Sequence, residues 1–455
     1  MRATQLKRHD NMPLIIDNFC GGGGASEGME QAFNRPVSVA LNHDKKALSM
    51  HEVNHPHTDH KECDVFEFDI KKNIAGRNVG IGWFSPDCRH FSKAKGGTPV
   101  NEEIRGLANV IHDWGDLTNM EVVGMENVEE FKSWRPVRKG KPVRNQRKTG
   151  SYFRRFIKRL YKQGFTEISC RTLNCADYGA PTSRKRFFLI AKRNGEAVVW
   201  PAPTHFPRKS GRLPSWRPAS TGIDWSIPCP SIFERKKMLV DSTCRRLAVG
   251  TIRHAVESNE PFIAPITPST GDHGVKVAAW LGKHYTGVVG HSLHDPIGAI
   301  TTKDHHSLVT AFLVPIDHVG GKGTPSNSLH EPLTTITSKQ RHGLVVVHAF
   351  LLKYYGTGTN TQSLHDPIHT ITTKERFGLV TLNSVDHRIY DIGFRMLQPH
   401  ELFINQGFPS DYIIDRDREG NKLTKTKQTA LCGNSVPPSV VKALMEANAP
   451  ANCFA

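Results

Sequence analysis

The sequence predicts an α/β protein with a Rossmann-like N-terminal domain and a smaller, mainly β domain after it. The apolar run Leu14-Ile15-Ile16 leads into the glycine-rich turn Gly21 to Gly24 and then into a helical stretch. Strand, glycine turn and helix in this order open a Rossmann-like unit, although the Gly-x-Gly-x-x-Gly dinucleotide pattern is met only loosely. Short apolar runs and helical stretches then alternate to about residue 200. Beyond it, prolines cluster and β-branched runs recur between turns, which is typical of β-hairpins.

The predicted strands of the first domain each end next to a polar residue or motif. The strand over Pro36–Leu41 is followed by Asn42 and Asp44, at the place where such folds hold a ribose. Asp64 ends a third short segment. Further strands lead into Pro86-Asp87-Cys88 and Glu126-Asn127-Val128, and two more are expected over residues 166–173 and 186–191.

The composition favours a soluble, cytoplasmic protein that meets a polyanion. The net charge is +17, and nucleic acid is the natural partner for such a charge. No apolar run approaches the roughly 18 residues of a membrane helix. The N-terminal stretch Met1 to Asp10 is polar and basic, so we expect no signal peptide. Nine cysteines without a Cys-x-x-Cys pair argue against disulfides and a zinc ribbon.

An internal repeat occupies the region after the proline cluster. Its copies share a Ser-Leu-His-(Asp/Glu)-Pro start at Ser292, Ser328 and Ser363, followed by Ile-Thr-Thr or Ile-Thr-Ser and then Leu-Val. The histidines leave metal binding open, but no ligand set has metal-site spacing, so a structural repeat is preferred. The predicted domains are residues 1–200, residues 201–392 with repeats at about 277–309, 310–345 and 346–380, and residues 393–455 returning to the first domain.

Cys88 stands at the end of an apolar strand, after a turn at Pro86. By itself this position fits either an inert turn cysteine or an exposed nucleophile, since most free cysteines are packing residues. Which of the two applies to Cys88 depends on the other motifs in the chain.

Six motifs accompany it in one order. They are Asp17-x-Phe19-x-Gly21-x-Gly23-Gly24, Pro86-Asp87-Cys88-Arg89-x-Phe91-Ser92, Glu126-Asn127-Val128, Thr182-x-Arg184-x-Arg186, Arg395 to Pro409 with its Gln-Gly-Phe-Pro, and Gly433-Asn434-Ser435-Val436. The ordered set resembles the cytosine-C5 DNA methyltransferases of phage and bacterial type, over residues 12–206 and 393–447. Asp87, Arg89 and Thr182 depart from the family pattern, which has Pro, Gln and Gln there.

The resemblance implies a DNA (cytosine-5-)-methyltransferase that works through a covalent adduct. Cys88 would add as a thiolate to C6 of a flipped-out cytosine, so that C5 can attack a methyl group. Glu126 would act at N3, while Arg184 and Arg186 would hold the base O2 and orient the thiol. The implied methyl donor is S-adenosylmethionine, and no metal is expected. Its binding residues would be Asp17, Phe19, Cys20, Gly21, Gly23, Gly24, Asn42, Asp64, Asn434 and Val436.

The partners implied are double-stranded DNA and, functionally, a cognate restriction endonuclease. We expect a cytoplasmic, nucleoid-associated monomer whose repeats build the target-recognition domain. Two alternatives stay open, namely methylation of tRNA cytosine and a non-catalytic DNA-binding protein on the same fold.

Overall fold

The computed structural model describes residues 12–86, 107–134, 149–265, 276–284, 289–303, 305–315, 379–382 and 385–454, together with four two-residue strands. The chain forms two compact units. The first consists of Met1–Gly222, Pro296–Lys303 and Gln398–Ala455, and the second of Ile223–Asp295 and Asp304–Leu397.

The first unit is built on a seven-stranded sheet in the order β3-β2-β1-β4-β5-β9-β8. Strands β1 to β5 pair in parallel, whereas β9 runs antiparallel to both of its neighbours. The strands, with the short pair β6 and β7 between β5 and β8, are β1 Leu14–Asn18, β2 Val39–Asn42, β3 Asp59–Glu62, β4 Val79–Phe84, β5 Val122–Asn127, β6 Val137–Arg138, β7 Lys141–Pro142, β8 Glu167–Asn174 and β9 Lys185–Lys192.

Helices cover both faces of this sheet. The nine α-helices of the described residues, of which only α6 lies in the second unit, are α1 Gly24–Phe33, α2 Lys45–Asn54, α3 Ile70–Ile74, α4 Val110–Leu117, α5 Ser151–Lys162, α6 Asp241–Thr251, α7 Pro399–Gln406, α8 Lys425–Asn434 and α9 Pro438–Asn448. Ile15 packs in one core with Met29 and Val441, and Ile16 in another with Trp114. Since successive residues of a strand face opposite ways, the apolar run of β1 is buried on both sides.

The predicted boundary near residue 200 differs from the observed division after Gly222. Residues 201–222 stay with the first unit because they bind the turn that holds Asp177. The Trp216 indole donates to Asp177 Oδ1 at 2.9 Å, and the N–H groups of Thr204 and His205 donate to the Asp177 carbonyl at 2.8 and 3.0 Å. A second difference is that residues 296–303, from the first repeat copy, also belong to the first unit.

The second unit contains an antiparallel sheet in the order β10-β11-β13-β17-β16, with β12 paired to β11. Trp280, Val309 and Phe394 form its core with Leu247 of α6. Most of the second and third repeat copies lies outside the described residues. The remaining strands are β10 Phe262–Ile263, β11 Lys276–Lys283, β12 Gly290–Ser292, β13 His306–Pro315, β14 Leu351–Leu352, β15 Thr361–Gln362, β16 Leu379–Leu382 and β17 Val385–Met396.

In the described ranges, no cluster of three His, Cys, Asp or Glu side chains is arranged to hold a metal ion. In the same ranges, none of the helices has the length and apolar character needed to cross a membrane.

The glycine turn after β1 packs directly against the C-terminal segment of the first unit. A Cβ atom at Gly23 would lie 2.0 Å from the Tyr412 hydroxyl oxygen, and one at Gly24 would lie 2.1 Å from the Val436 carbonyl oxygen. Such distances are far below van der Waals contact, so only glycine permits this approach.

We therefore expect Gly23→Ala to destabilise the protein more than Gly76→Ala does. Both glycines have positive φ, +89° and +75°, so both substitutions cost about 1–2 kcal/mol for the left-handed backbone. Only Gly23 has atoms in the way, whereas no atom lies within 4 Å of a Cβ at Gly76. Overpacking should add about 1–3 kcal/mol to the loss of unfolding free energy, measured by urea denaturation. Equal losses for the two variants would contradict the contact.

Candidate active site

Strands β1, β4 and β5 end side by side at one edge of the sheet, and their polar ends meet there. The Ser85 N–H donates to the Asn18 carbonyl at 3.3 Å, and the Asn127 amide donates to the Pro86 carbonyl at 3.2 Å. The Asn127 bond ties the Glu-Asn-Val motif to the residue that precedes Asp87-Cys88. Cys88 itself lies outside the described residues.

Glu126 and Arg186 form an ion pair across the β5–β9 pairing. Glu126 Oε1 lies 3.0 Å from Arg186 Nε, and the two side chains are 9% and 18% exposed. A charge-assisted contact that is largely shielded from water is stronger than a surface pair. Both side chains keep some accessible surface, so a ligand can reach the pair.

Arg184 occupies a different environment from Arg186. Its side chain is buried, and Nη1 donates to the Ile300 carbonyl at 2.9 Å. The sequence predicts one shared role for the two arginines. The geometry separates them, because Arg186 contacts the Glu126 carboxylate while Arg184 is bonded to a backbone carbonyl.

Four of the described cysteines are poor nucleophiles. Cys175 is fully buried beside Glu126 and the two arginines, and burial raises the pKa of its thiol to about 12. Burial also raises the pKa of Cys20, Cys63 and Cys170. Since the thiolate is the reactive form, these thiols are almost entirely protonated and inert at neutral pH.

The end of β1 holds buried polar atoms without partners. Asp17 Oδ2 accepts a hydrogen bond from Ser26 Oγ at 2.7 Å. Among the described residues, Asp17 Oδ1 and both side-chain amide atoms of Asn18 are buried and have no hydrogen-bond partner. Such atoms are costly unless something satisfies them. They fit a ligand with polar groups, such as the amino-acid part of S-adenosylmethionine. Asn18 was not among the predicted binding residues, although it occupies a variable position of the first motif.

Phe19 follows in a strained conformation. Its φ of 65° is left-handed, which costs a bulky residue about 1–3 kcal/mol and is typical of functional sites. Its ring is only partly buried and packs against the core at the edge of β1. This backbone conformation places the Phe19 ring next to the glycine turn.

The predicted cofactor glycines differ in what surrounds them. Gly23 and Gly24 face Tyr412 and Val436, so packing within the protein already requires glycine there. Gly21 has φ +52°, and the nearest atom to a Cβ there is the Phe19 carbonyl oxygen at 3.6 Å. Gly21 is therefore the member of the turn that leaves room for a ligand. The Cys20 side chain beside it is buried.

Of the two predicted ribose ligands, Asp44 is engaged elsewhere. It caps α2 by accepting hydrogen bonds from the Lys46 and Ala47 N–H groups at 3.1 and 3.3 Å, and it forms an ion pair with Lys427. Burial alone would raise the pKa of Asp44, but Lys427 lowers it overall. The Asn42 side chain lies at the end of β2, where its Oδ1 accepts a hydrogen bond from the Asp44 N–H at 2.9 Å.

Asp64 lies beside Asn42 at the same edge. The Cys63 N–H donates to the Asn42 carbonyl at 3.3 Å, which places the two chain segments together. The Asp64 side chain is exposed and accepts one hydrogen bond, from the Phe66 N–H at 2.9 Å. A carboxylate has further acceptor capacity, so Asp64 can also bind a ligand.

The two C-terminal motifs interlock. Gln406 of Gln-Gly-Phe-Pro is buried and donates to the Ser435 carbonyl at 2.7 Å. The next residue, Val436, is buried with its carbonyl against Gly24, whereas Asn434 is exposed at the end of α8. Of the two residues predicted to bind the cofactor here, Asn434 is the accessible one.

A buried chain of hydrogen bonds, which the sequence did not predict, supports the glycine turn. The Tyr412 hydroxyl donates to the Gly22 carbonyl at 3.0 Å and lies 3.1 Å from His55 Nε2. His55 Nδ1 in turn lies 2.9 Å from Glu30 Oε2. The only signal in the sequence is that Tyr412 closely follows the Gln-Gly-Phe-Pro motif.

The family model for C-5 cytosine-specific DNA methylases matches residues 14–241 and 320–449. The chain belongs to this family. The predicted family and the predicted Rossmann-like fold with a smaller second domain are thereby confirmed.

Two curated methyltransferases illustrate the degree of similarity. The type II methyltransferase M1.HphI of Haemophilus parahaemolyticus is 28% identical over 203 residues, 42% of this chain and 48% of that protein. M.AquIA of a Picosynechococcus strain is 28% identical over 210 residues, 44% of this chain and 79% of that protein. The chain thus spans about half the length of the first relative. The solved structure of the Entamoeba histolytica methyltransferase EhMeth aligns with a TM-score of 0.47 and 15% identity, over 96% of this chain and 97% of that one.

Asp17→Asn should change how stability depends on pH. Burial raises the pKa of Asp17 to about 7 in the folded protein, whereas an unfolded Asp titrates near 4. The folded state therefore binds the proton more tightly, and stability falls as pH rises from about 4 to about 7. The unfolding free energy of wild type minus that of Asp17→Asn should decline through this window and level off above it. A difference that stays constant with pH, measured by urea denaturation, would show that Asp17 is not protonated in the folded protein.

Proposed function

We propose that the protein transfers a methyl group from S-adenosylmethionine to C5 of cytosine in double-stranded DNA. The observation that carries this proposal is the Glu126–Arg186 pair, at the sheet edge where Asn127 binds the Pro86 carbonyl. Cys88 follows Pro86 by two residues in the sequence. A base-activating carboxylate beside a nucleophile is what cytosine-C5 chemistry requires.

The residues would act in sequence on a flipped cytosine. The Cys88 thiolate adds to C6, and Glu126 supplies a proton or hydrogen bond at N3, where electron density builds up. C5 becomes enamine-like and would attack the methyl carbon. S-adenosylmethionine would supply this methyl group, and the bonding electrons would stay with the departing sulfur. Solvent would then take the C5 proton, the Cys88 thiolate would leave C6, and the N3 proton would return to Glu126, which restores the ring and the enzyme.

The ion pair supports a distinct role for Arg186. Its Nε contact fixes the orientation of the Glu126 carboxyl, and a guanidinium has further N–H groups to offer. One of them would bind the base O2. We propose that Arg186, and not Arg184, makes this contact, because Arg184 is buried and bonded to Ile300.

The cofactor would bind along the ends of β1, β2 and β3. We propose that Asp17 and Asn18 meet its polar groups, that Phe19 stacks on the adenine, and that Asn42 and Asp64 bind the ribose and the adenine amino group. The unpartnered atoms of Asp17 and Asn18 and the exposed Asp64 carboxylate support this assignment.

The partner would be double-stranded DNA, from which the target base must be flipped out. The net charge of +17 suits phosphate binding. We propose that the second unit, with the repeats, recognises the target sequence. We also propose a cytoplasmic, nucleoid-associated monomer that works beside a cognate restriction endonuclease, since relatives are named type II methyltransferases.

Cys88→Ser should abolish methylation, since an alcohol is a far weaker nucleophile than a thiolate. Bisulfite sequencing of DNA from cells that lack other cytosine methylation and express each variant reads out activity and target site together. Cys170→Ser, which changes a half-buried cysteine on β8, is the matched control and should methylate as wild type does. Methylated DNA from the Cys88→Ser strain would refute the nucleophile assignment, and tRNA methylation without DNA methylation would refute the substrate.

Glu126→Gln should lower kcat about 10²–10⁴-fold, the usual contribution of an acid–base group. KM for S-adenosylmethionine should stay unchanged, because Glu126 acts on the base. Tritium transfer from labelled S-adenosylmethionine to duplex DNA measures both constants. A rise in KM with normal kcat would instead place Glu126 in cofactor binding.

A further inference from the structure

The segment Pro296–Lys303, called the 296–303 arm below, belongs to the first unit although the chain on either side of it belongs to the second. It comes from the first repeat copy and contains that copy's Ile-Thr-Thr element. The sequence predicts that the whole repeat takes part in target recognition. The contacts of the 296–303 arm indicate instead a role within the first unit.

The arm pairs with the strand segment that leads into β9. The Ile297 N–H donates to the Pro181 carbonyl at 2.9 Å, and the Ser183 N–H donates to the Ile297 carbonyl at 2.8 Å. These two bonds make a parallel bridge between Ile297 and Thr182. Ile297 and Ile300 are 0% and 1% exposed, so the arm is anchored by apolar burial as well.

Arg184 is bonded to the arm directly through its side chain, and its backbone is linked to the arm by way of Thr182. Its Nη1 donates to the Ile300 carbonyl at 2.9 Å. The Thr182 hydroxyl donates to the Gly298 carbonyl at 3.4 Å and accepts from the Arg184 N–H at 3.3 Å. Thr182 stands where the family pattern has glutamine. A short β-branched side chain here lets the arm approach the backbone.

The same arm touches the last motif of the chain. A Cβ at Gly433 would lie 2.3 Å from the Thr301 carbonyl carbon, so only glycine allows the arm to pass. The arm therefore contacts two separate catalytic-domain motifs, Thr-x-Arg-x-Arg and Gly-Asn-Ser-Val. A segment that only bound DNA would not need to be buried against both motifs.

We propose that the 296–303 arm is a positioning element of the active site, with Thr182 as its attachment point. By fixing Arg184 it fixes the start of β9, and Arg186 lies two residues further on the same face of the strand. The 3.0 Å contact between Arg186 and Glu126 depends on that register. The arm thus sets the rate of methyl transfer and leaves the choice of DNA site to other segments. This inference rests on the proposed methyltransferase function.

Thr182→Val tests the proposal in the full-length protein. Valine keeps the β-branched shape but loses the hydroxyl that joins Gly298 to Arg184. We expect kcat on duplex DNA to fall about tenfold, which is what losing one to two net hydrogen bonds converts to. KM for S-adenosylmethionine and the bisulfite pattern of methylated sites should not change. Thr182→Ser keeps the hydroxyl and should restore kcat.

Two further variants keep the test decisive. Gly433→Ala pushes on the arm from its other side and should also lower kcat without changing the methylated sites. Thr172→Val removes a threonine hydroxyl from β8, where it bonds Glu129 at 3.4 Å and not the arm, and should leave kcat at the wild-type value. If Thr182→Val fails to fold, as judged by circular dichroism, the Gly433→Ala result decides.

The possible results distinguish failure of the arm's positioning role from failure of the proposed methyltransferase function. A folded wild-type protein that methylates neither DNA nor tRNA defeats the proposed function. With wild type active, normal kcat in folded Thr182→Val, or in Gly433→Ala where that variant decides, overturns the arm's role. Altered methylated sites at normal kcat would also overturn it and would indicate that the arm takes part in target recognition. Failure of Thr182→Ser to restore a lowered kcat would overturn it as well.

Discussion

The first unit depends on the close approach between the glycine turn after β1 and the C-terminal segment. Gly24 meets the carbonyl of Val436, and Gly28 meets that of Pro438, at distances that exclude any side chain. This contact joins residues that stand at opposite ends of the chain. Because Gln406 also binds Ser435, the C-terminal motifs are held against the turn as one body. The glycine turn is therefore fully packed only when the C-terminal segment has folded against it.

The sequence could predict the sheet and the edge where the site lies. Each strand is a local apolar run, and each motif follows its strand directly, so the meeting of Pro86 with Asn127 follows from parallel pairing alone. The resemblance predicts that Glu126 and Arg186 act on the same base, but not that the two side chains form an ion pair. What could not be predicted depends on contacts between distant residues. Neither the burial of Arg184 under Ile300 nor the packing role of Gly23 leaves a local pattern, since each partner lies more than a hundred positions away.

Burial beneath the turn also explains the choice of polar residues there. Ser26 Oγ donates to Asp17 and lies 2.9 Å from His51 Nε2, and His51 Nδ1 lies 2.8 Å from His60. Burial lowers the pKa of His60 to about 4 and that of His51 well below its usual value, while it raises that of Asp17. The two histidines are therefore neutral at physiological pH, while Asp17, with a pKa of about 7, is only partly ionised, which limits the cost of buried charge. A cationic ligand group beside Asp17 would favour its ionised form and draw the proton out.

The first repeat copy shows how a short extended segment can be held by strand pairing. Its backbone at Ile297 pairs with the Thr182 segment, and Gly433 leaves the space in which Thr301 passes. Both neighbours lie more than a hundred positions from the copy in the sequence. The proposed positioning role therefore depends on a threonine and a glycine elsewhere in the chain, and not on a change in the Ile-Thr-Thr element itself.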